Sequence, residues 1–239
     1  MKNILLLFCV FVIYACNNVP ATKQNVVKNE IIIPKSIKRA FIKPDSLIHG
    51  NTSDSKVFNQ CDPNCVWQYY HPFRDTSYVF AVQNCCEEFF EKGKTARIYF
   101  GIDRGQTDKI IWAEHVFIKI QNDFMEYKDF NGDGTMDILI FSETGGRGGN
   151  AFYYLYLVDA KNKKINCVQG FEDIVNPEYN KKHNVIIAYG LSGTNNYSIY
   201  KISNANKVYK IGESFEDDFD SDEDLLDRKI TQALKVNEE

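Results

Sequence analysis

Several familiar signatures are missing from this sequence. It has no excess of basic residues: 28 Lys and Arg stand against 32 Asp and Glu, a formal net charge of -4. That balance excludes the basic face a nucleic-acid partner requires. G-x-S-x-G, H-E-x-x-H and the phosphate-binding P-loop are all missing. The "GLSG" at Gly190 lacks the nucleophile-elbow spacing, and "GGRGGN" is followed by no lysine. Histidine is scarce and scattered, at His49, His71, His115 and His183, each read as a strand or surface residue rather than a base. The N-terminal apolar run, Ile4 to Tyr14, is shorter than the roughly 20 residues needed to span a bilayer.

What is abundant is aromatic side chains, 14 Tyr and 17 Phe, which favour strands. Short apolar runs such as "HVFIKI", "MDILIF", "AFYYLYLVD", "HNVIIAYG", "YSIYKIS" and "KVYKIG" alternate with turn material such as "NGDG", "GGRGGN", "DAKNKK" and "SNAN". Connections this short make antiparallel hairpins rather than crossover helices. The expectation is an all-β, antiparallel domain over residues 51–215, propeller-like or a sandwich. "NCCEEFFEKGK" reads as a brief helix. Residues 216–239 form an acidic C-terminal segment, with Leu225, Leu226, Ile230 and Leu234 at helical spacing behind a Ser221 and Asp224 capping box.

The first residues read as an export signal, 1–15, to be set apart from the fold. Ile13-Tyr14-Ala15-Cys16 resembles the cleavage box of bacterial lipoproteins, departing from it at Tyr14. That resemblance implies lipidation at Cys16, a membrane association through the acyl anchor alone, and a place in the cell envelope. Asn17 instead of aspartate after the cysteine points to the outer membrane, facing the periplasm. Residues 16–50 then form a polar, proline-broken tether.

Export also sets the reading of the remaining cysteines. Cys61, Cys65, Cys85 and Cys86 are disulfide candidates, since an oxidising compartment favours bridges. Two bridges between "CDPNC" and "NCC" would leave Cys167 free in a strand, and the pairing stays open. A four-cysteine zinc site is the competing reading. The adjacent Cys85 and Cys86 disfavour it, because neighbouring side chains point apart.

One loop carries a denser signal. In "KDFNGDGTMDILI", Asp129, Asn131 and Asp133 place oxygens at positions 1, 3 and 5; Gly134 permits a sharp turn; Thr135 offers its carbonyl; Asp137 falls at position 9. Hard oxygen donors at this spacing suit calcium, at about 2.3–2.6 Å. The twelfth position is Ile140 where a helix-loop-helix hand needs glutamate, and the flanks read as strands. The loop resembles the D-x-N-x-D-G-x-x-D calcium hairpin of FG-GAP and VCBS-type β repeats, present here as a single copy. That resemblance implies a structural calcium ion between two antiparallel strands.

A broader resemblance, over about residues 115–213, is to single-motif envelope proteins. Some of these are periplasmic lipoproteins that inhibit peptidoglycan hydrolases as immunity proteins. It implies a non-enzymatic binding protein with a protein partner, a peptidoglycan hydrolase being the candidate. Gly145, Gly146, Arg147 and Asn150, in the glycine-rich turn beside the calcium hairpin, are the expected contact residues. The alternative is an envelope hydrolase or carbohydrate-active protein whose site carries no recognised motif.

Overall fold

Apolar residues run almost unbroken through the central strands because those strands are covered on both faces. Val79, Phe80, Ala81 and Val82 are all buried, as are Ile138, Leu139 and Ile140, and Leu155 to Val158. The computed structural model describes residues 55–58, 64–85, 93–120, 123–145, 148–191, 194–217 and 225–236. The expected signal segment and tether, with Cys16, together with Cys61, Cys86, Gly146, Arg147 and the expected helix cap at Ser221 and Asp224, lie outside them.

Among the described residues twelve strands form three four-stranded sheets, each antiparallel and each in chain order. The first holds β1 (Val66–Tyr70), β2 (Tyr78–Asn84), β3 (Ala96–Asp103) and β4 (Asp108–Val116). The second holds β5 (Met125–Lys128), β6 (Asp137–Gly145), β7 (Asn150–Asp159) and β8 (Lys164–Cys167). The third holds β9 (Glu178–Asn180), β10 (Val185–Leu191), β11 (Asn195–Ile202) and β12 (Val208–Asp217). An α-helix, α1 (Leu225–Val236), follows. No described strand belongs to two sheets, so they do not close into a barrel. Four-stranded meanders in succession are the unit from which propeller blades are made.

Period-two alternation assigns each strand's two faces to different cores. Ile138, Ile140, Tyr156 and Val158 face Phe80, Ile98, Phe100 and Trp112 across the first sheet gap. Leu139, Leu155 and Leu157 on the opposite face meet Ile186, Ala188 and Phe171 in the second. Val185, Ile187, Ile199 and Ile211 pack under Ile230 of α1. Each such side chain contributes about 1.5–3 kcal/mol by leaving water. With both faces apolar, pattern alone cannot set strand register, and the turns must do so.

The outer face of the first sheet is closed by residues 55–58. Phe58, almost fully buried, sits on Val79, Ala81 and Tyr99. Buried Asp108 holds this segment in place. It accepts from Lys56 Nζ at 2.9 Å, Val57 N–H at 2.6 Å and Phe58 N–H at 2.7 Å. A disulfide, Cys65–Cys85, joins the start of β1 to the end of β2, and Cys167 is free. This bridge takes two of the four cysteines a zinc site would need.

One expectation is corrected and another falls mostly outside the described residues. "HVFIKI" was expected as one strand, but β4 ends at Val116. Beyond it Ile118 leaves the ladder to exchange hydrogen bonds with the Thr95 hydroxyl, at 2.8 and 2.9 Å. In "NCCEEFFEKGK", Asn84 ends β2 and Cys85 is in the bridge, so the helix does not begin there; residues 86–92 are outside the described set.

Candidate metal centre and the adjoining groove

The chain leaves β5 at Lys128 and enters β6 at Asp137, so the acidic loop joins antiparallel strands as its flanks require. Gly132 and Gly134 hold φ of 74° and 84°, the left-handed region that glycine enters without steric cost. A Cβ at Gly132 would run into the Tyr179 hydroxyl, so that position also needs a bare backbone.

Local side-chain bonds shape the loop. Asp129 accepts from the amides of Gly132 at 2.7 Å and Gly134 at 3.0 Å. Asn131 Oδ1 accepts from Asp133 N–H at 3.0 Å, and Asp133 accepts from Thr135 N–H at 2.7 Å and Asn131 Nδ2 at 2.9 Å. Asp137 differs: it is fully buried and reaches across the sheet. Its oxygens accept from Phe130 N–H at 2.8 Å and Val158 N–H at 3.0 Å. Burial raises its carboxyl to about 6, opposed by those two amide bonds and reinforced by the charges of Asp133 and Asp129.

These residues fit calcium in chemistry: Asp129, Asn131, Asp133 and Asp137 are hard oxygen donors, and Thr135 adds a carbonyl. A carboxylate oxygen has two lone pairs, so one amide bond leaves another for a cation. The mutual repulsion of Asp129, Asp133 and Asp137 is the electrostatic demand a divalent ion would meet. The geometry falls short of the chemistry. Asp137 is turned into the sheet, and among the described residues no three His, Cys, Asp or Glu side chains gather as a metal-holding group.

The glycine-rich turn does not sit beside this hairpin. Gly145 ends β6 and pairs with Asn150 at the start of β7, whereas the acidic loop lies at the other end of β6. Nine strand residues span about 27 Å. Asn150 is also committed to the fold: Leu191 N–H donates to its Oδ1 at 3.0 Å and its Nδ2 donates to the Leu191 carbonyl at 3.4 Å. Asn176, which sequence reasoning passed over, ties the same two sheets. Its side chain bonds Ala151 N–H, the Gly149 carbonyl and the Tyr189 carbonyl at 2.8, 3.0 and 2.8 Å. The Asn-Pro dipeptide, a turn signal, is the only hint of it in the sequence.

What does adjoin the acidic loop is a groove of about 520 Å3. Lys128 and Phe130, from the hairpin itself, form part of one wall; Tyr153, Tyr189, Tyr197 and Leu226 line the rest, with Glu126 and Glu178 present. Tyr189 and Tyr197 pack at 5.4 Å between ring centres, and Tyr197 stacks on Phe215 at 5.4 Å and 18°. The Tyr189 hydroxyl donates to Asn195 at 2.7 Å, which fixes the ring. Among the described residues no helix is long and apolar enough to cross a membrane.

No family model matches the sequence, and no curated protein matches it. A solved structure, "Structure of a Xanthomonas Type IV Secretion System related protein", is similar at 20% identity. It covers 71% of this chain and 88% of its own, with a TM-score of 0.38. A likeness that distant carries no argument about function.

Proposed function

We propose that the chain is a non-enzymatic, calcium-stabilised envelope lipoprotein that binds a protein partner and inhibits a cell-wall hydrolase. The observation that supports this reading is the shared wall: residues of the acidic hairpin, Lys128 and Phe130, line the tyrosine groove. A cation drawing the loop together would therefore set the shape of the groove. Tyrosine supplies large contact area at low conformational cost and is enriched at protein interfaces. Three of them here are held by the third sheet and β7 (Tyr153, Tyr189, Tyr197), with acidic and basic groups around them. The turn at Gly145 to Asn150 becomes a secondary contact, since Asn150 spends its side chain on Leu191.

The test is inhibition. Purified protein with calcium is titrated into an envelope extract assayed for peptidoglycan cleavage. Dose-dependent loss of cleavage is expected, with Tyr189→Asp abolishing it in a chain that still melts cooperatively. Turnover of a glycan or peptide panel by the protein itself would sink the reading in favour of a hydrolase. The anchor has its own check: Cys16→Ala moves the protein from the membrane fraction to the soluble one, or lipidation is wrong.

A further inference from the structure

Each of the three sheets ends in strands that pair on one side alone. One of these, β5, lies open to solvent. Glu126, Tyr127 and Lys128 are all exposed, Tyr127 by 47%. Among the described residues the strand pairs with β6 and with no other.

Backbone alternation decides which of its amides face outward. Just before β5, Phe141 N–H donates to the Phe124 carbonyl at 2.7 Å. The register then runs without a bulge from Met125↔Ile140 to Lys128↔Asp137. Hydrogen-bonded and non-hydrogen-bonded pairs alternate along an antiparallel ladder. Glu126 and Lys128 therefore turn their N–H and C=O groups to β6. Met125 and Tyr127 turn theirs to the open edge.

The side chains divide between two faces. Glu126 and Lys128, two residues apart, share the face toward the tyrosine groove. Tyr127 is on the other face, its ring 4.6 Å from that of Tyr70. An open edge is a template for another strand, and charged side chains ordinarily keep strangers off it. Here the two charges are opposite in sign and stand on either side of Tyr127. A two-fold contact must be self-complementary, and this edge is. Antiparallel pairing about Tyr127 sets Glu126 of each copy opposite Lys128 of the other. The same axis joins the two Tyr127 backbones through their outward N–H and C=O groups, and brings the two exposed rings together on the opposite face. Centring on Met125, the other outward residue, would set Glu126 against Phe124 and leave the charges unmatched.

We propose that a second copy of this chain adds to the β5 edge. The two β5 strands run antiparallel about an axis at Tyr127, and the second sheet continues from one copy into the other. A joint of four-residue strands belongs with interfaces below about 1,200 Å2, which associate weakly. A Kd on the order of 10–100 µM is expected.

Sedimentation velocity tests this on the full chain carrying Cys16→Ala, so that no acyl chain drives association. Over about 1–500 µM a monomer–dimer equilibrium is expected. Glu126→Lys and Lys128→Glu should each weaken it roughly tenfold, since each sets like charges opposite one another twice. The two substitutions together should restore it to within about threefold. Hydrogen exchange gives a second readout: the Tyr127 amide exchanges fast in dilute solution and slows as the dimer forms. A monomer throughout overturns the proposal. A Tyr127 amide protected in that monomer would assign the edge to the chain's own N-terminal segment, and an unprotected one would leave it for a different protein. A dimer indifferent to the single charge reversals, or one that the double reversal fails to recover, uses another surface and overturns the proposal as well. None of these readouts involves calcium or peptidoglycan cleavage, so the dimer stands or falls apart from the proposed function.

Discussion

Asp137 and Glu114 are both strand carboxylates with buried oxygens, and the fold treats them oppositely. Asp137 receives a backbone N–H on each oxygen, from Phe130 seven residues earlier and from Val158 across the β6–β7 pair. Glu114 has no backbone amide on its carboxyl; its neighbours are side chains, the Tyr156 hydroxyl and the Cys167 thiol. The first carboxylate closes a hairpin onto its sheet. The second lies where two separate sheets diverge, so no ladder amide points at it. A carboxylate held by backbone amides is fixed by strand pairing, and one held by side chains depends on how separate sheets come together.

The largest effect should come from breaking the satisfied side. Asp137→Ala leaves the Phe130 and Val158 amides unmet in the interior, which should cost roughly 2–5 kcal/mol in urea unfolding. A loss under about 1 kcal/mol would mean water replaces the carboxylate and the contrast with Glu114 is false.

Calcium comes next. At about 100-fold saturation it should add about 2.7 kcal/mol to stability, and Asp133→Ala, exposed and outside the sheet, should remove the gain. If chelator and calcium give the same melting curve, the loop is a turn held by its own Asx bonds.

A smaller effect concerns pH. Because the folded value of Glu114 is raised above the unfolded one, its contribution is fully present below the unfolded value and is lost as pH rises through the folded value. Glu114→Gln should therefore flatten the decline in melting temperature from about pH 4 upward, and a curve parallel to wild type would show that the carboxyl is solvated. The smallest effect is Asn150→Ala, expected to cost about 1 kcal/mol by freeing Leu191. A loss of partner binding without that destabilisation would restore Asn150 as a contact residue.

Legibility in the sequence followed contact range. β6, β7, β10, β11 and β12 coincide with quoted apolar runs, and α1 with its helical spacing, because turn residues and periodicity are local signals. The first sheet was hardly visible: "ARIYFGID" and "DKIIWAEHV" carry no clean alternation once both faces are buried. Asp129, Asn131 and Asp133 were legible because their partners lie within five residues. Asp137 falls at the last position of the acidic pattern, but its turn toward Val158 could not be seen. Tyr153, Tyr189 and Tyr197 come from different strands, and only assembly brings them to one groove.

By itself the sequence determined an antiparallel β chain, a terminal amphipathic helix, and a glycine-bearing acidic hairpin between strands, since each rests on spacing within a few residues. Tertiary structure alone decided that Cys65 pairs with Cys85 and that Asp108 ties residues 55–58 to the first sheet. It also decided that the glycine-rich turn lies a strand's length from the acidic loop, and that Glu114 ends beside Trp112 and Cys167. Those outcomes depend on how whole sheets stack, and burial on both faces erases from the sequence the pattern that would have announced it.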